Sequence, residues 1–211
     1  MSVFERIKGS LARVTGLFAR RRMARIGIYG PPNAGKTTLA NRIVSDFTGE
    51  TMGTASPIAH ETRRVKKREG VTVKAGDASI TLDVVDTPGL ATRIDFHDFM
   101  AMGIPEEEAR RRAKEATEGV IEAIKWMDNL DGVLLVMDAK EDPYTQVNVT
   151  VVGNMEARHL PMLIVANKMD LEGASVERIK GAFPQHTVVP VSALKGTNIE
   201  LLYETIARRF G

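Results

Sequence analysis

The 211-residue sequence predicts an α/β fold: a mostly parallel, six-stranded sheet flanked by helices. Three observations predict it. From residue 25 onward, short apolar runs alternate with helical patterns. Residues 133–137 (Val-Leu-Leu-Val-Met) and 162–166 (Met-Leu-Ile-Val-Ala) are apolar without interruption, as strands covered on both faces should be. A Gly/Pro-rich turn at 30–37 falls between a strand pattern and a helix pattern.

In chain order, residues 25–29 form a short apolar strand that runs into this turn, and 37–47 follow as a helix. Residues 71–74 and 80–85 pair as a hairpin around Gly76 and Asp77. Pro105 starts a long helix reaching about Asn129; three glutamates in its first turn suit the helix dipole, and proline suits the first helical position. Strand 133–137 is followed by helix 144–158, despite the β-branched residues there. Strand 162–166, helix 176–182, strand 188–191 and helix 199–210 complete the alternation. No internal repeat or low-complexity tract interrupts it.

The chain has no cysteine, which excludes a disulfide framework and a thiolate metal site and suits a cytoplasmic setting. No apolar run approaches the roughly 18 residues of a membrane span. Arginines interrupt the N-terminal apolar residues too often for a signal peptide. The net charge of +2 conceals an asymmetry: residues 1–25 hold seven Lys/Arg and one Glu, whereas the remainder is acidic, so any anionic partner is expected at the N-terminus.

Four motifs carry the chemistry. Residues 30–37 (Gly-Pro-Pro-Asn-Ala-Gly-Lys-Thr) fit the pattern G-x-x-x-x-G-K-[ST]. Such a loop turns the backbone N–H groups of Pro32's successors Asn33, Ala34 and Gly35 toward phosphate, and the helix opened by Lys36, Thr37 and Thr38 points its positive end at the same anion. Lys36 is the candidate to bridge the β- and γ-phosphates, and the Thr37 hydroxyl to ligate Mg²⁺. Asp86, in Asp-Thr-Pro-Gly at 86–89, ends an apolar strand, where a carboxylate can hold Mg²⁺ through water. The Gly89 N–H can then sense the γ-phosphate. An ordinary turn is the competing reading of 86–89.

Residues 167–170 (Asn-Lys-Met-Asp) follow the strand at 162–166. The Asp170 carboxylate can accept from guanine N1–H and the exocyclic amine, a donor pair that adenine lacks; an unmet buried carboxylate discriminates strongly. Lys168 is expected along the base and Asn167 as a brace. In Ser192-Ala193-Leu194, the Ala193 N–H is expected to meet guanine O6.

Together these motifs resemble the Era-like branch of the Ras-type P-loop GTPase superfamily, over roughly residues 25–211, and most of all the small archaeal Era-like GTP-binding proteins. The resemblance implies a Ras-like G domain that binds GTP or GDP with Mg²⁺ and hydrolyses GTP. It also implies that Thr62, in Glu61-Thr62-Arg63, is the second Mg²⁺ contact of switch I, against the alternative of a plain loop threonine. Lys36, Thr62 and Gly89 are thus the catalytic candidates. Ras-type enzymes place a water-orienting Gln where this chain has Leu90, so slow intrinsic hydrolysis is expected. Asn33 matches a P-loop asparagine linked in some relatives to K⁺, which makes K⁺ a second candidate cofactor; an Asx turn is the equal alternative. His97 lies in the expected switch II loop, where solvation outweighs a role as base. Era proteins carry an RNA-binding domain after the GTPase domain. With Gly211 directly after the last helix, none is expected here.

Residues 1–22 form a separate expected unit. Phe4, Ile7, Leu11, Val14 and Phe18 recur at spacings of 3 and 4, the stripe of an amphipathic helix, with Arg6, Lys8, Arg13 and Arg20 flanking it. Such a helix suits the surface of an anionic membrane, peripherally on its cytoplasmic side, or docking on protein. Gly9 and Gly16 weaken it in isolation, so it folds on contact. The basic run 63–68 admits RNA binding, with a solvated edge strand as the plain alternative. A nucleotide-dependent dimer is a further candidate partner state.

Overall fold

The computed structural model describes residues 23–52, 64–76, 78–90 and 94–211. The expected N-terminal helix, Thr62 and the hairpin residue Asp77 lie outside the described residues. The elements are β1 (Met23–Tyr29), α1 (Lys36–Thr48), β2 (Lys66–Ala75), β3 (Ala78–Asp86), α2 (Phe96–Ala101), α3 (Glu106–Trp126), β4 (Gly132–Asp138), α4 (Gln146–Ala157), β5 (Met162–Asn167), α5 (Val176–Ala182), β6 (Val188–Pro190) and α6 (Ile199–Phe210).

They build one six-stranded sheet in the order β2-β3-β1-β4-β5-β6. All neighbours are parallel except the β2–β3 hairpin, whose last pair is Ala75 opposite Ala78. The chain adds β3 on one side of β1 and then crosses to add β4 on the other, and the carboxyl ends of the parallel strands β1, β3, β4 and β5 lie on one edge of the sheet.

Strand alternation explains the two cores. In β4, Leu134 and Val136 join Leu39 and Ile43 of α1 and Leu202 and Ile206 of α6 on one face. Val133, Leu135 and Met137 join Met127, Met155 and Ile179 on the other. A continuous apolar strand is therefore needed, because each face meets its own helical layer. α3 turns Ala109, Ala116, Gly119 and Ala123 inward, a small face that lets it lie close to the sheet. The buried Tyr29 hydroxyl donates to the Ala123 carbonyl at 2.7 Å and pins that approach.

Two local expectations change. Pro105 sits at the N-cap of α3 rather than at the first helical position, with an extended ψ of 147°. The segment expected as the loop of switch II contains α2. Its N-cap is Asp95, which accepts from the His97 N–H at 3.0 Å. A six-residue helix has too little periodicity to stand out in sequence. The strand at 71–74 extends back to Lys66, so the basic run enters the edge strand β2. There Lys67 pairs with Glu69 and Asp83, and Arg68 with Glu50. Lys67 and Arg68 of the basic run thus meet acids of the same chain within the edge strand.

Candidate nucleotide site

The loop between β1 and α1 wraps the N-terminus of α1. Asn33 and Gly35 both have positive φ, 59° and 94°. At Gly35 a side chain would also strike the Asn167 carboxamide, so glycine is needed there for conformation and space alike. Asn33 supplies the left-handed turn with an exposed side chain that makes no hydrogen bond among the described residues; the Asx turn does not form. Pro32 lies against Gly89, where an added Cβ would come within 2.8 Å of the Pro32 Cα. The Leu90 N–H donates to the Gly30 carbonyl at 3.1 Å. The 86–89 turn is thereby locked onto the 30–37 loop, although 49 residues separate Thr37 from Asp86.

Lys36 is 6% exposed, and its ammonium donates to the Pro31 carbonyl at 2.8 Å. Burial lowers its pKa to about 8, and the neighbouring Asp86 charge pulls the other way. Asp86 is fully buried at the end of β3. Burial raises its pKa, opposed by the Thr37 hydrogen bond and by the charges of Lys36 and Lys66. The Thr37 hydroxyl donates to Asp86 Oδ2 at 2.8 Å. Asp86 Oδ1 is buried with no hydrogen-bond partner among the described residues. A hydroxyl beside a buried carboxylate with an unmet oxygen is a hard-oxygen donor set that fits Mg²⁺. Among the described residues there is no cluster of three or more His, Cys, Asp or Glu. Thr38, half-buried, follows in the first turn of α1.

The other half of the site stands at the ends of β5 and β6. Asn167 donates to the Ala34 carbonyl at 2.9 Å and accepts from the Ala193 N–H at 3.0 Å. The Ala193 amide, expected at guanine O6, is here engaged by Asn167. Lys168, at φ 64°, places its ammonium 2.7 Å from Asp138 Oδ2 at the end of β4. The Asp170 carboxylate accepts from the Ser192 hydroxyl at 2.6 Å, a bond that holds its pKa below the ordinary carboxylate value. Ser192 in turn accepts from the Lys195 N–H at 3.1 Å. Leu194 is 68% exposed at the rim.

Two site residues were not legible in sequence. Arg42 of α1 donates to the carbonyls of Ala193 and Leu194, at 3.2 and 3.1 Å, and so ties the phosphate-side helix to the 192–194 loop. A lone arginine on a helix carries no sign of a contact 151 residues away. Asp138 had a weak signal, an acid at the carboxyl end of a parallel strand. His97 is explained by capping: its ring Nδ1 lies 2.7 Å from Asp95 Oδ1 and its side chain is exposed. Leu90, only 7% exposed, sits in the core with Val85 and Met127.

Residues 25–168 match the family described as "50S ribosome-binding GTPase". The tRNA modification GTPase MnmE of Aquifex aeolicus is 29% identical over 201 residues, spanning 93% of this chain and 36% of that protein. GTPase Era of Rickettsia akari is 28% identical over 190 residues, spanning 88% of this chain and 55% of its own length. The chain thus spans about half or less of the length of these relatives. A structure of Era in complex with MgGDPNP and a segment of 16S ribosomal RNA superposes with a TM-score of 0.68 at 24% identity, covering 91% of this chain and 58% of that one. The family model covers more than half of the chain, and the chain belongs to this family, as an Era-like P-loop GTPase.

Proposed function

We propose that the chain is a guanine-specific switch that binds GTP and GDP with Mg²⁺ and hydrolyses GTP slowly. The observation that carries this reading is Asp170: a carboxylate kept ionised and oriented by Ser192, beside a loop that Asn167 ties to the phosphate side. Lys36 would neutralise β,γ-phosphate charge, and the Gly89 N–H would report the γ-phosphate. Thr37 and Asp86, with Thr62 from switch I, would hold Mg²⁺, which when bound supplies charge neutralisation at the transferred phosphoryl group. Leu90 has no group to align water, and its burial in the core keeps it from acting otherwise; slow turnover follows. K⁺ beside Asn33 is the candidate remedy. Binding of guanine over adenine nucleotides, lost in Asp170→Ala, tests the reading; equal binding of ATP and GTP would overturn it.

In this reading the partner surface is residues 1–22, engaging anionic lipid from the cytoplasmic side. A second reading, ribosomal RNA, is favoured by the family's description and by the relative bound to 16S RNA. Co-sedimentation with anionic vesicles and with 50S and 30S ribosomal subunits, in GDP and in a GTP analogue, separates the two.

A further inference from the structure

Arg42, in the middle of α1, spends all three guanidinium nitrogens on partners of this chain. Its Nε donates to the Ala193 carbonyl at 3.2 Å and its Nη2 to the Leu194 carbonyl at 3.1 Å. Its Nη1 lies 3.9 Å from Asp46 Oδ1, one helical turn further on. The other oxygen of Asp46 accepts from the Tyr203 hydroxyl of α6 at 2.7 Å. Tyr203 is 6% exposed, and its ring meets Phe47 edge-on at 4.8 Å. Burial, and then Asp46, push its pKa above the ordinary tyrosine value, so the hydroxyl keeps the proton it donates. The Arg42 and Asp46 side chains are each 34% exposed, and an ion pair of that kind adds little stability by itself. What it adds is direction, because a planar fork held at one edge aims its other donors.

Both carbonyls belong to the turn that closes the base side of the site. The Gly196 N–H donates to the Ser192 carbonyl at 2.8 Å and the Ser192 N–H to the Thr197 carbonyl at 3.1 Å. Gly196, at φ 79°, rests against Arg42: an added Cβ would lie 3.8 Å from Nη2. A trans peptide points its C=O and N–H in opposite directions. The peptide whose Leu194 carbonyl faces Arg42 therefore turns its Lys195 N–H to the other side, where it donates to Ser192 Oγ at 3.1 Å. The Ser192 hydroxyl passes its own proton to Asp170 Oδ1, at 2.6 Å. A continuous chain of polar contacts thus runs from Tyr203 through Asp46, Arg42, the 194–195 peptide and Ser192 to Asp170. It closes on itself, because the turn leads directly into α6, which carries Tyr203.

We propose that Arg42, braced by Asp46 and Tyr203, is a positioning residue for base recognition: it fixes the peptide through which Ser192 aims the Asp170 carboxylate. The inference rests on the guanine reading above. Guanine offers two donors that one carboxylate must meet at once, so a misdirected Asp170 weakens the base contact. The phosphates are held separately, by Lys36 and the 30–37 loop, and do not depend on this chain of contacts.

Affinities for GDP and ADP, measured by competition against fluorescent GDP, test it on the full chain. Arg42→Ala should lower GDP affinity about five- to tenfold, the order of one hydrogen bond's net worth, and leave ADP affinity unchanged. Arg42→Lys, whose ammonium cannot serve both carbonyls and Asp46 as a fork, should restore only part of the selectivity. Tyr203→Phe deletes one oxygen, keeps the ring against Phe47, and should lose part of the selectivity in a chain that folds normally. Equal losses for GDP and ADP overturn the proposal, since a merely structural role in α1 weakens phosphate binding too. Unchanged selectivity in all three variants overturns it as well and leaves the guanine reading intact. Equal wild-type affinity for GDP and ADP overturns the guanine reading and, with it, this inference.

Discussion

The Asn167 carboxamide donates to the Ala34 carbonyl across 2.9 Å, joining the loop after β5 to the loop after β1. Its oxygen simultaneously takes the Ala193 N–H. One buried side chain thus sets the spacing between the phosphate half and the base half of the site. Asn167→Ala strands one carbonyl and one amide, each worth about 1–3 kcal/mol when buried and unmet. Unfolding in urea should show a loss of at least that size. Guanine nucleotide affinity, measured by fluorescence titration, should fall at least about tenfold, or 1.4 kcal/mol.

Lys36 gives nucleotide binding a pH dependence. In the free protein burial holds its pKa at about 8, well below its value in an unfolded chain. Between about 8 and 10.5 the unfolded state holds the proton that the folded state has lost, so this group's penalty on stability is relieved as pH rises through that window. Phosphate favours the charged lysine. Above pH 8, binding must therefore take up a proton, and affinity should drop by up to about tenfold per pH unit. Calorimetry in two buffers of different ionisation enthalpy should show proton uptake at pH 8.5, absent in Lys36→Met.

Asp170 titrates in the opposite sense. Its folded pKa is depressed by the Ser192 hydroxyl, so the stabilisation that bond provides is present above the ordinary carboxylate pKa and is lost as pH falls through the lower folded value. Ser192→Ala removes the largest cause of the depression. The acid limb of guanine nucleotide affinity should then move to higher pH, while the alkaline limb set by Lys36 stays in place. Titrations from pH 4 upward, comparing the two proteins, check this.

Leu90 is packed rather than poised. It is 7% exposed and belongs to the same apolar core as Val85 and Met127. Leu90→Ala should cost about 2–4 kcal/mol of stability, as buried leucine truncations do. Its single-turnover GTP hydrolysis should change less than about tenfold, well short of the roughly hundredfold or more lost with a positioned catalytic group. A collapse of hydrolysis in a protein that remains folded would give Leu90 a direct part in the chemistry.

Asn33 offers an exposed carboxamide on a left-handed backbone with no hydrogen bond to the described residues. If it serves K⁺, hydrolysis should be faster in K⁺ than in Na⁺ for the wild-type chain. Asn33→Ala should erase the difference, with GDP affinity little changed. Equal rates in both salts for the wild-type chain would exclude K⁺ as a cofactor.

The sequence by itself determined the element order, because burial demands periodicity. β4 and β5 are apolar at every position since both faces are covered, and the spacing of turns separates each strand from the next helix. It also marked residues 30–37, 86–89, 167–170 and 192–194, since phosphate cradling and guanine pairing need particular residue types at short, local spacing. The tertiary structure alone decided how these loops are joined. Asn167 reaches Ala34, Arg42 reaches Ala193 and Lys168 reaches Asp138 only because parallel pairing sets the carboxyl ends of β1, β4, β5 and β6 side by side. It also decided that Leu90 is core and that α2 begins at a residue capped by Asp95. Contacts between residues 30 to 151 positions apart leave no local pattern, whereas burial and turn geometry write themselves into every few residues.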